Sequence, residues 1–94
     1  MKKIAIKDYT SAMLAAKHKI GAPENDMEYS MAASILVTYT SMNKNEDPLG
    51  EARNHINIYG ADQSWHRKLD AFALAFFREI GRNDLIERYG LEVQ

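Results

Sequence analysis

Apolar residues recur at spacings of three and four along most of this chain, which is the period of an amphipathic α-helix. The clearest example starts at Asp62 or Ser64, either of which is a suitable cap, and runs to Ile80 before Gly81. Its apolar stripe consists of Trp65, Leu69, Phe72, Ala73, Phe76 and Ile80, with Phe77 beside the stripe and Leu74 pointing away from it. This segment is therefore predicted to be a helix with one face buried in the core.

Four further helices are predicted from the same spacing. They cover about residues 7–20, the stretch from Pro23 or Asn25 to Met42, residues 48–59 and residues 83–89. The proposed helix ends coincide with Gly21, Gly60, Gly81 and Gly90. Glycine is the residue that most readily adopts the backbone conformation that ends a helix. The pattern predicts an all-α fold, a compact bundle of four main helices plus a short C-terminal helix, in a single domain over residues 1–94.

Local signals mark where two of these helices start. Asp47 followed by Pro48 is typical of a cap and a first helical residue, and Asn83 or Asp84 is the expected cap of the last helix. Residues 4–6 and 55–59 alternate in polarity, which leaves a strand as the alternative at both places. We prefer a helix at residues 55–59 because a strand there would have no partner in the chain.

The second helix is apolar on two sides. Met27, Met31, Ile35 and Met42 form one stripe, and Tyr29, Ala33, Leu36, Val37 and Thr40 lie on roughly the opposite side. Such a helix is either central in a bundle or shared with a partner. A chain this short has a limited core in which to bury both sides. We therefore expect an interface, with a protein partner or a second copy of the chain, formed by Tyr29, Leu36, Val37 and Leu74.

Composition narrows the function classes. The chain has 94 residues, a net charge of −1 and no cysteine, which excludes disulfides, thiol catalysis and cysteine-ligated metals. No apolar run approaches the roughly 18–20 residues that span a bilayer, so no membrane partner is expected. The start of the chain becomes charged again after a short apolar stretch, which predicts the absence of a signal peptide and a cytoplasmic location.

Charge is distributed unevenly along the chain. Residues 1–22 carry five Lys and one Asp, whereas residues 23–51 carry six acidic residues and one Lys. The favoured interpretation is an antiparallel pair of the first two helices, with the basic end of one beside the acidic start of the other. The alternative is a basic patch that faces an anionic partner.

Candidate catalytic groups are few. His66 and Asp70 lie four residues apart on the fourth helix and so share a face, where a carboxylate can orient an imidazole for base catalysis or metal binding. One such pair supplies too few ligands for zinc, and a solvated pair is the preferred interpretation. The sequence contains no nucleophile motif and no glycine-rich phosphate loop. We expect no enzymatic activity and no cofactor.

Nucleic acid is an alternative partner. The third and fourth helices superficially resemble a helix-turn-helix, in which Arg67 and Lys68 would lie near phosphates. Ile56 stands where that motif normally has a small residue, and the net charge is slightly negative. Because phosphate binding normally needs a clustered basic excess, nucleic acid is not the favoured partner.

Three arginines near the C-terminus form a second candidate anion site. Arg78 and Arg82 flank Gly81, and Arg88 follows one short helix later. Arginine favours bidentate contacts with carboxylate or phosphate groups. Pairing of these arginines with the acidic residues next to them in the sequence is the preferred interpretation.

Together these features favour a small non-enzymatic interaction or regulatory protein that binds a partner, itself, or both. Small, cysteine-free, near-neutral helical chains are common among accessory proteins of phages and mobile elements, many of which inhibit a host protein. We therefore expect an inhibitor that occludes a host defence or regulatory complex. A nucleic-acid-binding regulator, and a small-ligand or nucleotide binder at an oligomer interface, are the alternatives.

Overall fold

The computed structural model describes residues 6–42 and 46–92, which form five helices and no strand. The helices are α1 Ile6–Lys19, α2 Met27–Ser41, α3 Pro48–Ile58, α4 Gln63–Glu79 and α5 Asn83–Tyr89. The predicted all-α bundle with a short C-terminal helix is thus confirmed. The strand alternative at residues 55–59 is wrong, because α3 extends to Ile58. The alternative at residues 4–6 lies almost wholly outside the described residues.

Three aspartates start helices by capping them. The side chains of Asp26, Asp47 and Asp62 accept hydrogen bonds from backbone N–H groups in the first turns of α2, α3 and α4, at 3.2, 3.2 and 2.9 Å. Each satisfies a donor that has no partner within the helix. At the start of α4 the cap is Asp62 and not Ser64. α2 starts later than predicted because the preceding residues form a turn. In this turn the Asp26 N–H donates a hydrogen bond to the Pro23 carbonyl oxygen at 3.1 Å.

The start of α5 differs from the prediction. Its capping position is Arg82, which makes no side-chain cap hydrogen bond, so the prediction of Asn83 or Asp84 as the cap is wrong. The Asp84 carboxylate is engaged elsewhere, because the Arg82 guanidinium donates to both of its oxygens at 3.0 and 2.9 Å. This bidentate pair lowers the pKa of Asp84 and raises the pKa of Arg82.

α4 is the central helix of the bundle and contacts the other four helices. The predicted apolar stripe is confirmed, with Trp65, Leu69, Phe72, Ala73, Ala75, Phe76 and Phe77 buried. The rings of Phe72 and Phe76 stack with their centroids 5.4 Å apart. Removing this apolar surface from water is the dominant favourable contribution to folding.

α2 presents its smaller side chains to this core. Ala32, Ala33 and Leu36 are buried, and Leu36 has no exposed surface. Small residues allow the α2 backbone to approach the aromatic rings of α4 closely. The prediction of Leu36 as an interface residue is therefore wrong, because its side chain belongs to the core. The methionine stripe lies beside the buried side and is exposed at its ends, by 71% at Met27 and 52% at Met42.

Ion pairs join α4 to α1 and α2. The Lys68 Nζ atom lies 2.9 Å from carboxylate oxygens of both Asp26 and Glu28, and Lys19 pairs with Glu79. α1 and α2 contact each other, as expected for a helix pair, but Lys19, Asp26 and Glu28 form their ion pairs with α4. The hydrogen bond from Lys68 lowers the pKa of Asp26, and the carboxylates of Glu28 and Asp26 raise the pKa of Lys68.

α5 packs against α4, and its side chains also reach the start of α3. The Tyr89 hydroxyl donates to the Asp47 carboxylate, and the Tyr89 ring stacks on Phe77 with 6.4 Å between centroids. The Arg53 guanidinium lies 5.8 Å from the centre of the Tyr89 ring. Burial, together with the hydrogen bond to Asp47, raises the pKa of Tyr89. Asp47 thus caps α3 and anchors α5.

Candidate protein-binding face

A surface without acidic side chains, lysines or arginines lies between α2 and α3. It contains two adjoining hollows with volumes of about 300 and 380 Å³, both lined by Ser34, Ile35 and His55. We name this surface the α2–α3 face. Its remaining lining residues are Ser30, Met31, Thr38, Tyr39, Met42 and Tyr59.

Helical periodicity assembles the α2–α3 face. α2 turns its alanines and Leu36 toward the core, which leaves Met31 and Ile35 on the flank that meets α3. α3 buries Ile56 and the residues at helical spacing before it, which leaves His55 and Tyr59, four residues apart, on the flank that meets α2. Two partly apolar flanks therefore meet in a groove.

Three ring side chains line this groove, with Tyr39 on α2, His55 on α3 and Tyr59 at the C-terminal end of α3. His55 Nδ1 and the Tyr39 hydroxyl share a hydrogen bond of 2.9 Å, and the two rings meet edge-on with centroids 5.7 Å apart. The Tyr59 ring stacks on His55 at 5.6 Å with an interplanar angle of 29°. The His55 imidazole thus has aromatic contacts on both helices. These contacts hold α3 against α2 and give the groove a defined shape.

Three hydroxyl groups of α2 bond within their own helix. Thr38 donates to the Ser34 carbonyl oxygen at 2.8 Å, and Thr40 donates to the Leu36 carbonyl oxygen at 2.7 Å. Ser41 donates to the Thr38 carbonyl oxygen at 2.9 Å. Because these donors are already satisfied, the surface of α2 is less polar than its sequence suggests. Covering it with another apolar surface leaves no unpaired hydroxyl donor at these three positions.

Large apolar side chains at the edges of the groove are open to solvent. Tyr59 and Met42, which line the two hollows, are 59% and 52% exposed. Ile58, the residue before Tyr59, is 81% exposed, and Met27, one turn before Met31, is 71% exposed. Single exposed apolar residues are common, but contiguous apolar patches on small proteins mark interaction sites. Methionine and tyrosine are also enriched in the cores of protein–protein interfaces.

The predicted interface residues do not build this face. Leu36 is in the core, and Val37 and Leu74 are half-buried against it. Tyr29 is half-buried, with the Lys68 Nζ atom 5.4 Å from its ring centre. Leu74 lines a separate hollow of about 200 Å³ between α1 and α4, together with Ile20. An interface role for Tyr29, Val37 and Leu74 stays a prediction.

The predicted anion contacts are spread over the molecule. Lys68 is bound by Asp26 and Glu28, as described above. The other partners are Glu92 for Arg78, Asp84 for Arg82 and the Glu46 carbonyl oxygen for Arg88. Arg67 is exposed, three turns from Arg78 along α4 and therefore about 16 Å away. A role of these residues in binding an anion or nucleic acid stays a prediction, and Arg78, Arg82 and Arg88 each bond to a different group of the chain.

The two side chains of the candidate catalytic pair, His66 and Asp70, each bond to a residue of α3. His66 Nε2 lies 2.7 Å from the Asn57 side-chain oxygen, and the Asp70 carboxylate pairs with Arg53 at 3.0 Å. Both side chains of α4 therefore bond to α3 and not to each other. Within the described ranges no group of three or more potential metal ligands comes together.

No protein-family model, curated protein or solved structure matches the chain. Over residues 6–42 and 46–92, no helix combines the length and the apolar character that crossing a bilayer requires. The chain's own α2–α3 face is therefore the feature from which a function can be inferred.

Proposed function

We propose that this protein is non-enzymatic and acts by binding another protein chain through the α2–α3 face. The observation that carries the proposal is the run of residues 29–42, which holds no Lys, Arg, Asp or Glu in a chain that is otherwise 27% charged. Along the groove Met31 and Ile35 of this run are half-buried, and Met42 is exposed. Proteins seldom leave such a surface in water unless it is covered in the working state.

A protein fits this face better than a small ligand does. Small-ligand sites are concave and carry a few convergent polar groups that fix the orientation of the ligand. Here the Thr38 hydroxyl donates within its own helix, and His55 Nδ1 is bonded to Tyr39. The groups that remain are mainly apolar and distributed along a groove, which is the arrangement that accepts a helix of another chain.

More specifically, we propose that the bound protein belongs to a host defence or regulatory complex. The protein would occlude that complex in the cytoplasm as an inhibitor encoded by a phage or mobile element. Small size and a net charge of −1 support this form, because they suit a module whose surface serves contact and not chemistry.

Site-specific photo-crosslinking tests the proposal. A photoreactive phenylalanine analogue is placed at Met42 or Ile58, and at Leu14 on α1 as a control whose 58% exposure matches the 52% exposure of Met42. We expect protein adducts from positions 42 and 58 in the cells that naturally encode the chain, and none from position 14. Equal adducts from all three positions, or none from the α2–α3 face, would overturn the proposal.

A further inference from the structure

We propose that the α2–α3 face is covered by a second copy of this chain. The two α2 helices pack antiparallel about a two-fold axis near Ser34, and the methionine stripe of each copy enters the groove of the other. This inference rests on the proposed binding of a protein chain at this face, and it names a second copy, in place of a host protein, as the occupant. Ser34 is the central residue of α2 and lines both hollows, so an axis there uses the whole groove.

The charge pattern favours a second copy. In a two-fold contact the same patch meets itself, so a charge near the axis meets a like charge from the partner. From Tyr29 to Met42 the chain carries no Lys, Arg, Asp or Glu, and the lining residues of α3 are His55 and Tyr59. An uncharged face avoids self-repulsion, whereas selection of a different protein is usually helped by complementary charges.

The shape of α2 is also self-complementary. Ser30, Ser34 and Thr38 follow one another at four-residue spacing and form a low ridge along the middle of the face. Two such ridges allow helix axes to approach to about 8–10 Å. The exposed parts of the half-buried Met31 and Ile35 side chains then contact the partner's groove, where flexible methionine adapts to an irregular wall.

The expected contact is small. α2 has 15 residues, which gives it a length of about 22 Å. A contact along one helix of that length is smaller than a standard specific interface, which buries about 800 Å² per partner. We therefore expect a dimer that dissociates in the micromolar range of chain concentration and exchanges with the monomer.

Single-cysteine crosslinking tests the position of the axis. The chain has no cysteine, so Ser34→Cys introduces one thiol per chain, and Ser11→Cys gives the matched control on an exposed position of α1. Side chains facing each other across closely packed helices meet the short Cα separation that a disulfide requires. We expect rapid oxidation of Ser34→Cys to a disulfide-linked dimer and slow oxidation of Ser11→Cys. Equal rates would overturn the proposed axis.

Sedimentation equilibrium tests the dimer itself. Ser34→Lys places a lysine from each copy beside the two-fold axis, where like charges meet, and is expected to weaken the dimer at least about tenfold, whereas Ser11→Lys on α1 is expected to change its Kd less than about twofold. Circular dichroism confirms that both variants fold. A wild-type monomer at every concentration up to about 0.5 mM, well above the Kd range expected for this interface size, or equal weakening by both variants, would overturn the inference.

The two proposals fail in different ways. Crosslinked adducts from Met42 and Ile58 that contain a different protein, together with a monomeric wild-type chain, would overturn the second copy and leave the protein-binding function in place. Adducts of twice the 10.7 kDa chain mass would support both proposals. The absence of any adduct specific to the face would overturn both.

Discussion

At the scale of single residues, Leu36 and Met42 show how one helix serves two purposes. Both are large apolar residues near the C-terminal half of α2. Leu36 has no exposed surface and contacts the core, whereas Met42 is 52% exposed at the edge of the groove. Apolar character alone therefore does not tell which of the two stabilises the fold.

Truncation separates these roles. Leu36→Ala is expected to lower the free energy of unfolding by about 2–5 kcal/mol, because it removes transfer free energy and leaves a cavity. Met42→Ala is expected to lower it by less than about 0.5 kcal/mol, measured on the monomer at low concentration. Urea unfolding followed by the fluorescence of Trp65, the single tryptophan, gives both values. Equal losses would contradict the assignment of Leu36 to the core and Met42 to the surface.

At the scale of elements, the turn between α3 and α4 depends on one backbone conformation. Gly60 has φ of +80°, and its N–H donates to the Asn57 carbonyl oxygen at 2.9 Å. The next N–H, of Ala61, returns to the Ile56 carbonyl oxygen at 3.1 Å. This pattern closes the end of α3 and sends the chain directly into α4.

The same turn predicts a ranking of substitutions. A Cβ atom at position 60 would meet nothing within 4 Å, so only backbone strain opposes a side chain there. Gly60→Ala is expected to cost about 1–2 kcal/mol of unfolding free energy. Gly60→Asn is expected to cost less, since asparagine visits this conformation more readily. Thermal unfolding measures both variants, and an asparagine variant less stable than the alanine variant would argue against strain as the cause.

Helix ends that are set by neighbouring residues are what the sequence predicts well. Asp47 before Pro48 and the glycine at position 60 act within a few residues of themselves, so helix ends could be placed without knowledge of packing. The same approach failed at α5, where Asp84 is engaged by Arg82 and does not cap the helix. Whether a side chain caps a helix depends on which nearby group it bonds to, and spacing in the sequence alone does not decide this.

The side of α2 that faces the core could not be predicted for a different reason. Both of its stripes are apolar, and the choice between them depends on the shape of α4. The aromatic rings of α4 require small neighbours, which only the Ala32 and Ala33 side supplies. The signal that points to the α2–α3 face was present in the sequence as the uncharged run 29–42, but it identifies a surface only after the opposite side is known to be buried.

Lys68 on α4 pairs with carboxylates at the start of α2, so the contact between these two helices depends on pH. Its ammonium lowers the pKa of Asp26 below the ordinary value of 3.8. A lowered carboxyl pKa contributes stability that is present above the unfolded-state pKa and is lost as pH falls through the folded-state pKa. The contribution of this pair is therefore complete at neutral pH and disappears in the acid range below about pH 4.

Replacement of Lys68 measures that contribution. Lys68→Met is expected to lower Tm by a few degrees at pH 7, because Asp26 and Glu28 then face each other without a cation. The difference from the wild-type protein is expected to narrow as the pH falls from 4 toward 2. Arg67→Met, at the adjacent exposed position, is the control and should leave Tm nearly unchanged at both pH values. A Lys68→Met deficit of the same size at pH 2 would exclude the ion pair as its cause.

At the scale of the whole molecule, charge and apolar exposure occupy different surfaces. The ion pairs of Lys19 and Lys68 join α4 to α1 and to the start of α2. Arg82 forms an ion pair at the start of α5. The α2–α3 face carries apolar and hydroxyl side chains. Raising the ionic strength therefore weakens the ion pairs and has little effect on contacts made by the α2–α3 face.

Salt therefore distinguishes the two surfaces that could drive association. If the α2–α3 face forms the dimer, the Kd from sedimentation equilibrium should change less than about threefold between 0.05 and 0.5 M NaCl, because screening acts on charges and not on apolar burial. Sodium sulfate should strengthen the dimer, since it favours burial of apolar surface. The Ser34→Lys variant serves as the control, because the like charges that it places beside the axis make its residual association salt-dependent. A wild-type dimer weakened about tenfold or more by NaCl would instead assign association to charged surfaces such as that around Arg67.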